Sequence, residues 1–229
     1  MRGDVCVFVG RTDTLASDPS RLTRALGHLS TAERDRYARF KHERDRWMFA
    51  LGREMARTLV GDALGCPAGD WVWREGPHGR PEIAAPPTDV HFNLSHSAGV
   101  VVCAIARGRT IGVDIEDLNR RAPDPAIVAR YCSPAETADV HARGDGWPAR
   151  FLAYWTLKEA YLKARGLGIA VHLADISFAL SADEQTARIG FERSLAGTDD
   201  HWAFHLARLD PHHLVATAVH NPDDARPAL

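Results

Sequence analysis

The sequence has no cysteine framework. Cys6, Cys66, Cys103 and Cys132 lie far apart and form no C-x-x-C pair, which argues against a disulfide scaffold or a zinc knuckle and for reduced, buried thiols. It has no apolar run near the roughly 20 residues of a membrane span. The one apolar stretch at its start, Val5 to Val9, is too short and too close to Asp4 to read as a secretory leader. A cytoplasmic protein without membrane contact is therefore expected. Excess positive charge is also missing. The net charge of −2 and pI near 6.6 speak against a general nucleic-acid binder, though not against a local basic pocket for phosphates. Low-complexity segments are absent too. What remains is an ordinary globular composition, 45% hydrophobic and 25% charged over 229 residues, enough for one large domain or two small ones.

Local patterning gives an order of elements. Val5–Val9 reads as a strand. Ser30-Thr31-Ala32-Glu33 is a capping box that starts a helix. A longer helix runs from about His42 to Leu64, with Leu51, Met55 and Leu59 on one stripe and Gly65, Pro67 and Gly69 ending it. Trp71–Trp73 is a short strand before the turn-rich Gly76–Pro81 loop. Three strands follow, near Val90–Leu94, Val100–Ala106 and Arg109–Glu116, and read as an antiparallel meander. A second capping box, Ser133-Pro134-Ala135-Glu136, opens a helix that is broken at 144–148 and runs to about Ala164, where Gly166 and Gly168 stop it. Strands are expected near Ile176–Leu180, Ile189–Arg193, Trp202–Leu209 and Leu214–His220, with a loose tail from Asn221. Helices followed by antiparallel strands thus occur twice. The expectation is an α+β fold of two similar halves, 1–107 and 108–229, each a helix packed on a small antiparallel sheet.

Four groups of residues suggest chemistry. In Gly112-Val113-Asp114-Ile115-Glu116, strand alternation puts Ile111, Val113 and Ile115 on a core face and Asp114 and Glu116 on the other. Two carboxylates this close repel unless they are exposed or joined by a cation, and an oxygen-only pair suits Mg²⁺. The ordinary alternative is a solvated strand face. In Trp155–Lys163, Leu157, Ala160, Tyr161 and Ala164 have helical core spacing, while Glu159 and Lys163, four apart, share another face. A plain surface pair explains them as well. Phe92-Asn93-Leu94-Ser95-His96-Ser97 leaves a strand for a turn and offers polar groups at a rim; turn capping is its ordinary role. Arg36, Arg39, Lys41, Arg44, Arg46 and Arg53, with Arg74 and Arg80 beside the glycine-rich loop, could meet phosphates bidentately, or form a solvated face with the interspersed acids.

Taken together, F-N-x-S-H-S at Phe92–Ser97, G-V-D-I-E at Gly112–Glu116 and W-x-x-K-E-A-x-x-K at Trp155–Lys163, with the Gly79-Arg80-Pro81 loop and the Arg44–Gly52 helix, resemble the phosphopantetheinyl transferase superfamily. The likeness is to its longer, Sfp-like branch, which serves peptide synthetases and polyketide synthases, and spans roughly Leu29 to Phe178. The resemblance implies a single chain of two pseudo-symmetric halves, acting as a monomer, that moves the 4′-phosphopantetheine arm of coenzyme A to a serine of an apo acyl or peptidyl carrier protein. It places coenzyme A in a cleft between the halves. Asp114, Glu116 and Glu159 would hold Mg²⁺, with Mn²⁺ as a substitute, against the pyrophosphate. Lys163 would contact that phosphate, with Lys158 as a further basic ligand of coenzyme A. Arg44, Arg80, Ser95 and His96 match positions that contact the adenosine phosphate. Basic residues that some relatives carry before the helix map onto Glu33 and Arg36, and the acidic Glu33 departs from that pattern. Glu159, directly or through a water, is the base for an otherwise weak serine nucleophile.

Two other readings compete. A metal-dependent phosphohydrolase would use the same acids but leaves Phe92–Ser97 unexplained. A coenzyme A-binding or carrier-binding module with a dead centre would have no need of all three acids and Lys163. For the carrier's docking face, Trp147 on the Gly144–Trp147 loop, flanked by Arg143 and Arg150, is one candidate anchor. The other reading of Trp147 is a core residue between two helix segments.

Overall fold

The computed structural model describes residues 5–76, 79–168, 171–181, 184–191 and 201–221. The chain divides into two compact units, Met1–Arg109 and Thr110–Leu229.

In the first unit, strand β1 (Val5–Arg11) leads into short helices α1 (Asp13–Ala16) and α2 (Pro19–Gly27). The sequence reading has no counterpart for α2, whose start lies in Asp18 accepting from the Ser20 and Arg21 N–H groups, with proline at the first helical position. Helix α3 (Thr31–Arg39) begins at the expected capping box: Glu33 N–H donates to Ser30 Oγ, and Ser30 N–H donates to Glu33 Oε2. Helix α4 (Glu43–Leu64) ends where Gly65 turns left-handed at φ 72°. Two hairpins follow, β2 (Val72–Glu75) with β3 (Pro81–Ala85), and β4 (Val90–Ser97) with β5 (Val100–Arg107). Strand β4 continues through Ser95, His96 and Ser97, and the turn itself is Ala98-Gly99, both at positive φ, the combination a tight hairpin favours. The sheet order is β1-β5-β4. Helix α4 lies on this sheet, its Leu51 packed with Val101 and its Ala56 and Val60 packed with Phe92, Cys103 and Ile105.

In the second unit, β6 (Ile111–Asp117) is followed by α5 (Ala126–Tyr131), α6 (Pro134–His141), a short 3-10 turn at Gly144–Gly146, α7 (Trp147–Arg165), β7 (Ile176–Leu180), β8 (Thr186–Phe191), β9 (Trp202–Asp210) and β10 (His213–His220). The sheet order is β6-β10-β9-β8-β7. Helix α7 covers it, burying Leu157, Tyr161 and Leu162 with Phe204, Leu214 and Ala216. Beyond β8, the expected strand residues Glu192 and Arg193 lie outside the described residues, as does the tail after Asn221.

Each unit repeats one plan. Its first strand pairs antiparallel with its last, the last pairs with the one before it, and a long helix packs on the sheet. This is an α+β fold of two pseudo-symmetric halves. The expected three-strand meander is corrected: β4 and β5 form a hairpin, but β6 pairs with β10, with Asp114 opposite Ala216. Both edges of β5 are already taken by β1 and β4, so no ladder is left for β6 there. Among the described residues no helix is long and apolar enough to cross a membrane.

Candidate active site

The acids of β6 face helix α7. Ile111, Val113 and Ile115 are buried on one side of the strand, so Gly112, Asp114 and Glu116 share the other. A Cβ at Gly112 would lie 2.1 Å from Ala160 O and 2.5 Å from Ala164 N. Only a residue without a side chain lets the helix backbone come this near the strand. The close approach has a direct result: Lys163 Nζ donates to Asp114 Oδ1 at 2.6 Å, and Trp155 Nε1–H donates to Glu116 Oε1 at 2.8 Å. Trp155, Glu159 and Lys163 are spaced by four and form one stripe along α7. Glu159 Oε1 is buried and has no hydrogen-bond partner among the described residues. From the loop after β6, Arg120 Nη1 donates to Glu116 Oε2 at 2.8 Å.

These carboxylates act on one another. Burial pushes the Glu159 carboxyl above its ordinary range, Asp114 pushes it further, Lys163 offsets part of this, and Glu116 adds to it. Burial likewise raises Glu116, with Asp114 adding to the rise and Arg120 and Trp155 opposing it. Three mutually repelling, poorly solvated carboxylates of hard oxygen type are a donor set that fits Mg²⁺, and the partnerless Glu159 oxygen is one such donor. As they lie, Glu116 is turned to Arg120 and Trp155, and among the described residues no group of three or more His, Cys, Asp or Glu is gathered to hold an ion.

Lys158 is a correction. It is 1% exposed, and its Nζ donates to the Glu136 carboxylate, to Tyr131 O at 2.7 Å and to Leu173 O at 2.9 Å. Glu136 in turn accepts from the N–H groups of Ser133 and Phe178. All three ammonium hydrogens are thus spent inside the second unit. Lys158 ties α5, α6 and the turn before β7 to α7, and it has nothing left for coenzyme A.

In the first unit, Ser95 and His96 are consecutive on β4, opposite Val102 and Val101, so their side chains leave opposite faces of the sheet. Ser95 is buried and His96 exposed. Arg44 is exposed in the first turn of α4, near the hairpin turn: a side chain added at Gly99 would lie 3.8 Å from its Cδ. Arg80 is half-buried and its pKa is lowered by that burial. It acts on His91, whose pKa is lowered first by burial and then by Arg80. His91 shares a face of β4 with Asn93 and Ser95, and sequence reasoning passed over it because a single histidine on a strand carries no motif. The departing Glu33 also has its explanation. It pairs with Arg53 at 2.8 Å and Arg57 at 3.2 Å while closing the cap of α3, and Arg53 stacks 4.1 Å above the Trp73 ring. Arg36 and Arg74 likewise pair with Glu75 and Glu82.

Trp147 is half-buried against the core of the second unit, which favours the core reading over the anchor reading. Its flanking arginines are engaged: Arg150 pairs with Asp139 and Glu184, and Arg143 lies within 3.4 Å and 3.7 Å of the same two acids.

Comparison with known proteins bears on this arrangement. Residues 110–219 match the 4′-phosphopantetheinyl transferase superfamily, and residues 16–107 match the N-terminal region of 4′-phosphopantetheinyl transferase. A phosphopantetheinyl transferase of a Thraustochytrium species is 33% identical over 88% of this chain and 74% of its own. A 4′-phosphopantetheinyl transferase of Bacillus subtilis is 32% identical over 70% of each chain. The chain belongs to the 4′-phosphopantetheinyl transferase superfamily. Within it, the chain is of the long, Sfp-like type: the transferase Sfp of Bacillus subtilis is 28% identical over 87% of this chain and 86% of its own. A solved holo-ACP-synthase from Plasmodium yoelii, 16% identical, aligns at a TM-score of 0.41 with 50% of this chain and 97% of its own.

Proposed function

We propose that this chain transfers the 4′-phosphopantetheine arm of coenzyme A to a serine hydroxyl of an apo carrier protein. The new bond joins the serine oxygen to the β-phosphorus, the bond from that phosphorus to the bridging oxygen breaks, and adenosine 3′,5′-bisphosphate leaves. The observation that carries this reading is the close joint between β6 and α7, which puts Asp114, Glu116, Glu159 and Lys163 along one strand–helix contact.

Asp114, Glu116 and Glu159 would hold Mg²⁺, or Mn²⁺ in its place, and the ion would supply positive charge to the phosphoryl oxygens. Glu159 takes the serine proton at its carboxylate, directly or through a water. Burial beside Asp114 raises its pKa in the ion-free chain; an ion on the same carboxylate would lower it and so keep available the ionised form that accepts the proton. Lys163 offers an ammonium to developing phosphoryl charge. Arg44, Arg80, Ser95 and His96 are read as ligands of the adenosine phosphate, with Arg80 carrying the charge-assisted contact. One chain carries both pseudo-symmetric units, which supports action as a monomer.

Intact-mass measurement of a panel of apo carrier proteins, incubated with enzyme, coenzyme A and Mg²⁺, tests the reading. A gain of one phosphopantetheine group is expected, with release of adenosine 3′,5′-bisphosphate that requires the carrier. Bisphosphate release without any carrier would favour the phosphohydrolase instead.

A further inference from the structure

We propose that Arg120 is a built-in competitor for the ion's ligands: its guanidinium holds Glu116, one of the carboxylates that would hold a divalent cation. The proposal rests on the reading of Asp114, Glu116 and Glu159 as those ligands.

Both oxygens of Glu116 carry donors, and the two donors differ in kind. Oε1 accepts from the neutral indole of Trp155, which sits on helix α7. Oε2 accepts from Arg120 Nη1 at 2.8 Å, the one charged donor on this side chain among the described residues. Glu116 is only 14% exposed, so its charge is poorly solvated and calls for a cation. Arg120 is 49% exposed and belongs to the loop that follows β6, so it can swing into water without moving any core residue. Its counterpart at Asp114 is built otherwise. Lys163 comes from α7, whose backbone is locked against Gly112, and is 29% exposed.

Charge balance points the same way. Asp114, Glu116 and Glu159 against Lys163 and Arg120 leave a net charge of one negative. A divalent ion added to that set makes it one positive, and the departure of Arg120 restores neutrality. A guanidinium and a divalent ion on one carboxylate also repel each other directly. Arg120 therefore lowers the site's affinity for a free ion. A phosphate-bearing substrate, which brings its own negative charge, shifts the balance back toward the ion.

Free Mn²⁺ can be counted by its electron paramagnetic resonance signal in titrations of the full chain, without any turnover. An exposed ion pair of this kind is worth between about 1.5- and 5-fold in an equilibrium constant, so Arg120→Gln is expected to lower the Kd for Mn²⁺ by that factor. Arg120→Lys, which keeps the cation, should stay near the unmodified chain. Asp114→Asn should weaken Mn²⁺ binding and so identify the site being read. An Arg120→Gln Kd that is unchanged or higher overturns the proposal, as does Mn²⁺ binding indifferent to Asp114→Asn. If the unmodified chain moves the arm to a carrier but Arg120→Gln leaves the Kd alone, only the role of Arg120 falls. If it neither binds Mn²⁺ nor transfers the arm, the functional reading falls with it.

Discussion

Lys163 Nζ lies 2.6 Å from Asp114 Oδ1, joining the last turn of α7 to the middle of β6. The contact exists because Gly112, two residues before the aspartate, leaves room for the backbone at Ala160 and Ala164. Gly112→Ala should push the helix off the strand. A loss of about 1–3 kcal/mol in urea unfolding is expected for such overpacking, together with a kcat that falls more than the KM for coenzyme A rises. Full kcat in the folded variant would show that the joint does not position Lys163 and Glu159.

Acid should weaken Mn²⁺ binding earlier than ordinary carboxylates would. In the ion-free chain Glu116 and Glu159 both have raised pKa values, first through burial and then through Asp114, so an incoming ion must displace protons from two of its ligands as pH falls. For stability the sign is opposite. A carboxyl raised in the folded state contributes fully below its unfolded value, near 4.5, and loses that contribution as pH rises through the folded one. At neutral pH the ionised Glu159 is therefore a cost. Glu159→Gln should raise Tm near pH 8, leave it nearly unchanged near pH 4, and lower kcat by at least about 100-fold. An unchanged Tm near pH 8 would contradict this account of the site's electrostatics.

Removing Lys158 should unfold rather than disable. Lys158→Met leaves Glu136 buried and unpaired, which typically costs about 3–5 kcal/mol, measurable by urea denaturation. The KM for coenzyme A of the folded fraction should be unchanged. A stable variant with weakened coenzyme A binding would restore the basic-ligand role expected from the motif.

Trp147→Ala separates packing from docking. With its ring half-buried against the core of the second unit, the substitution should cost roughly 2–4 kcal/mol, at or below the usual range for losing a large aromatic. The KM for carrier protein should stay the same. A stable variant with a raised carrier KM would return Trp147 to the docking face.

Much of this could be read in the sequence, and the misses share a cause. Alternation along Gly112–Glu116 fixes which residues share a face, and the spacing of Glu159 and Lys163 fixes theirs, because both are local periodicities. Which surfaces meet is not local. Lys158 stands in the same motif as Glu159 and Lys163, and it is internal because of partners distant in sequence, Glu136, Tyr131 and Leu173. Strand β6 follows β5 by a hairpin-like link, yet its partner is β10, about a hundred residues on. Gly112 was legible as a motif letter but not as the gap that admits a helix. Arg120 could have been found, since its pair with Glu116 spans four positions, a spacing usually searched only on helices.

The two capping boxes carry more than helix starts. Glu33 closes the cap of α3 and pairs with Arg53 and Arg57 of α4; Glu136 closes the cap of α6 and pairs with Lys158 of α7. In both cases the third helical residue fastens a short helix to the long one behind it. The halves show no residue-level self-similarity, but this shared fastening supplies a register between them, Ser30 with Ser133 and Glu33 with Glu136. It gives the acidic Glu33 an architectural role, in keeping with its departure from the basic residue that some relatives carry there.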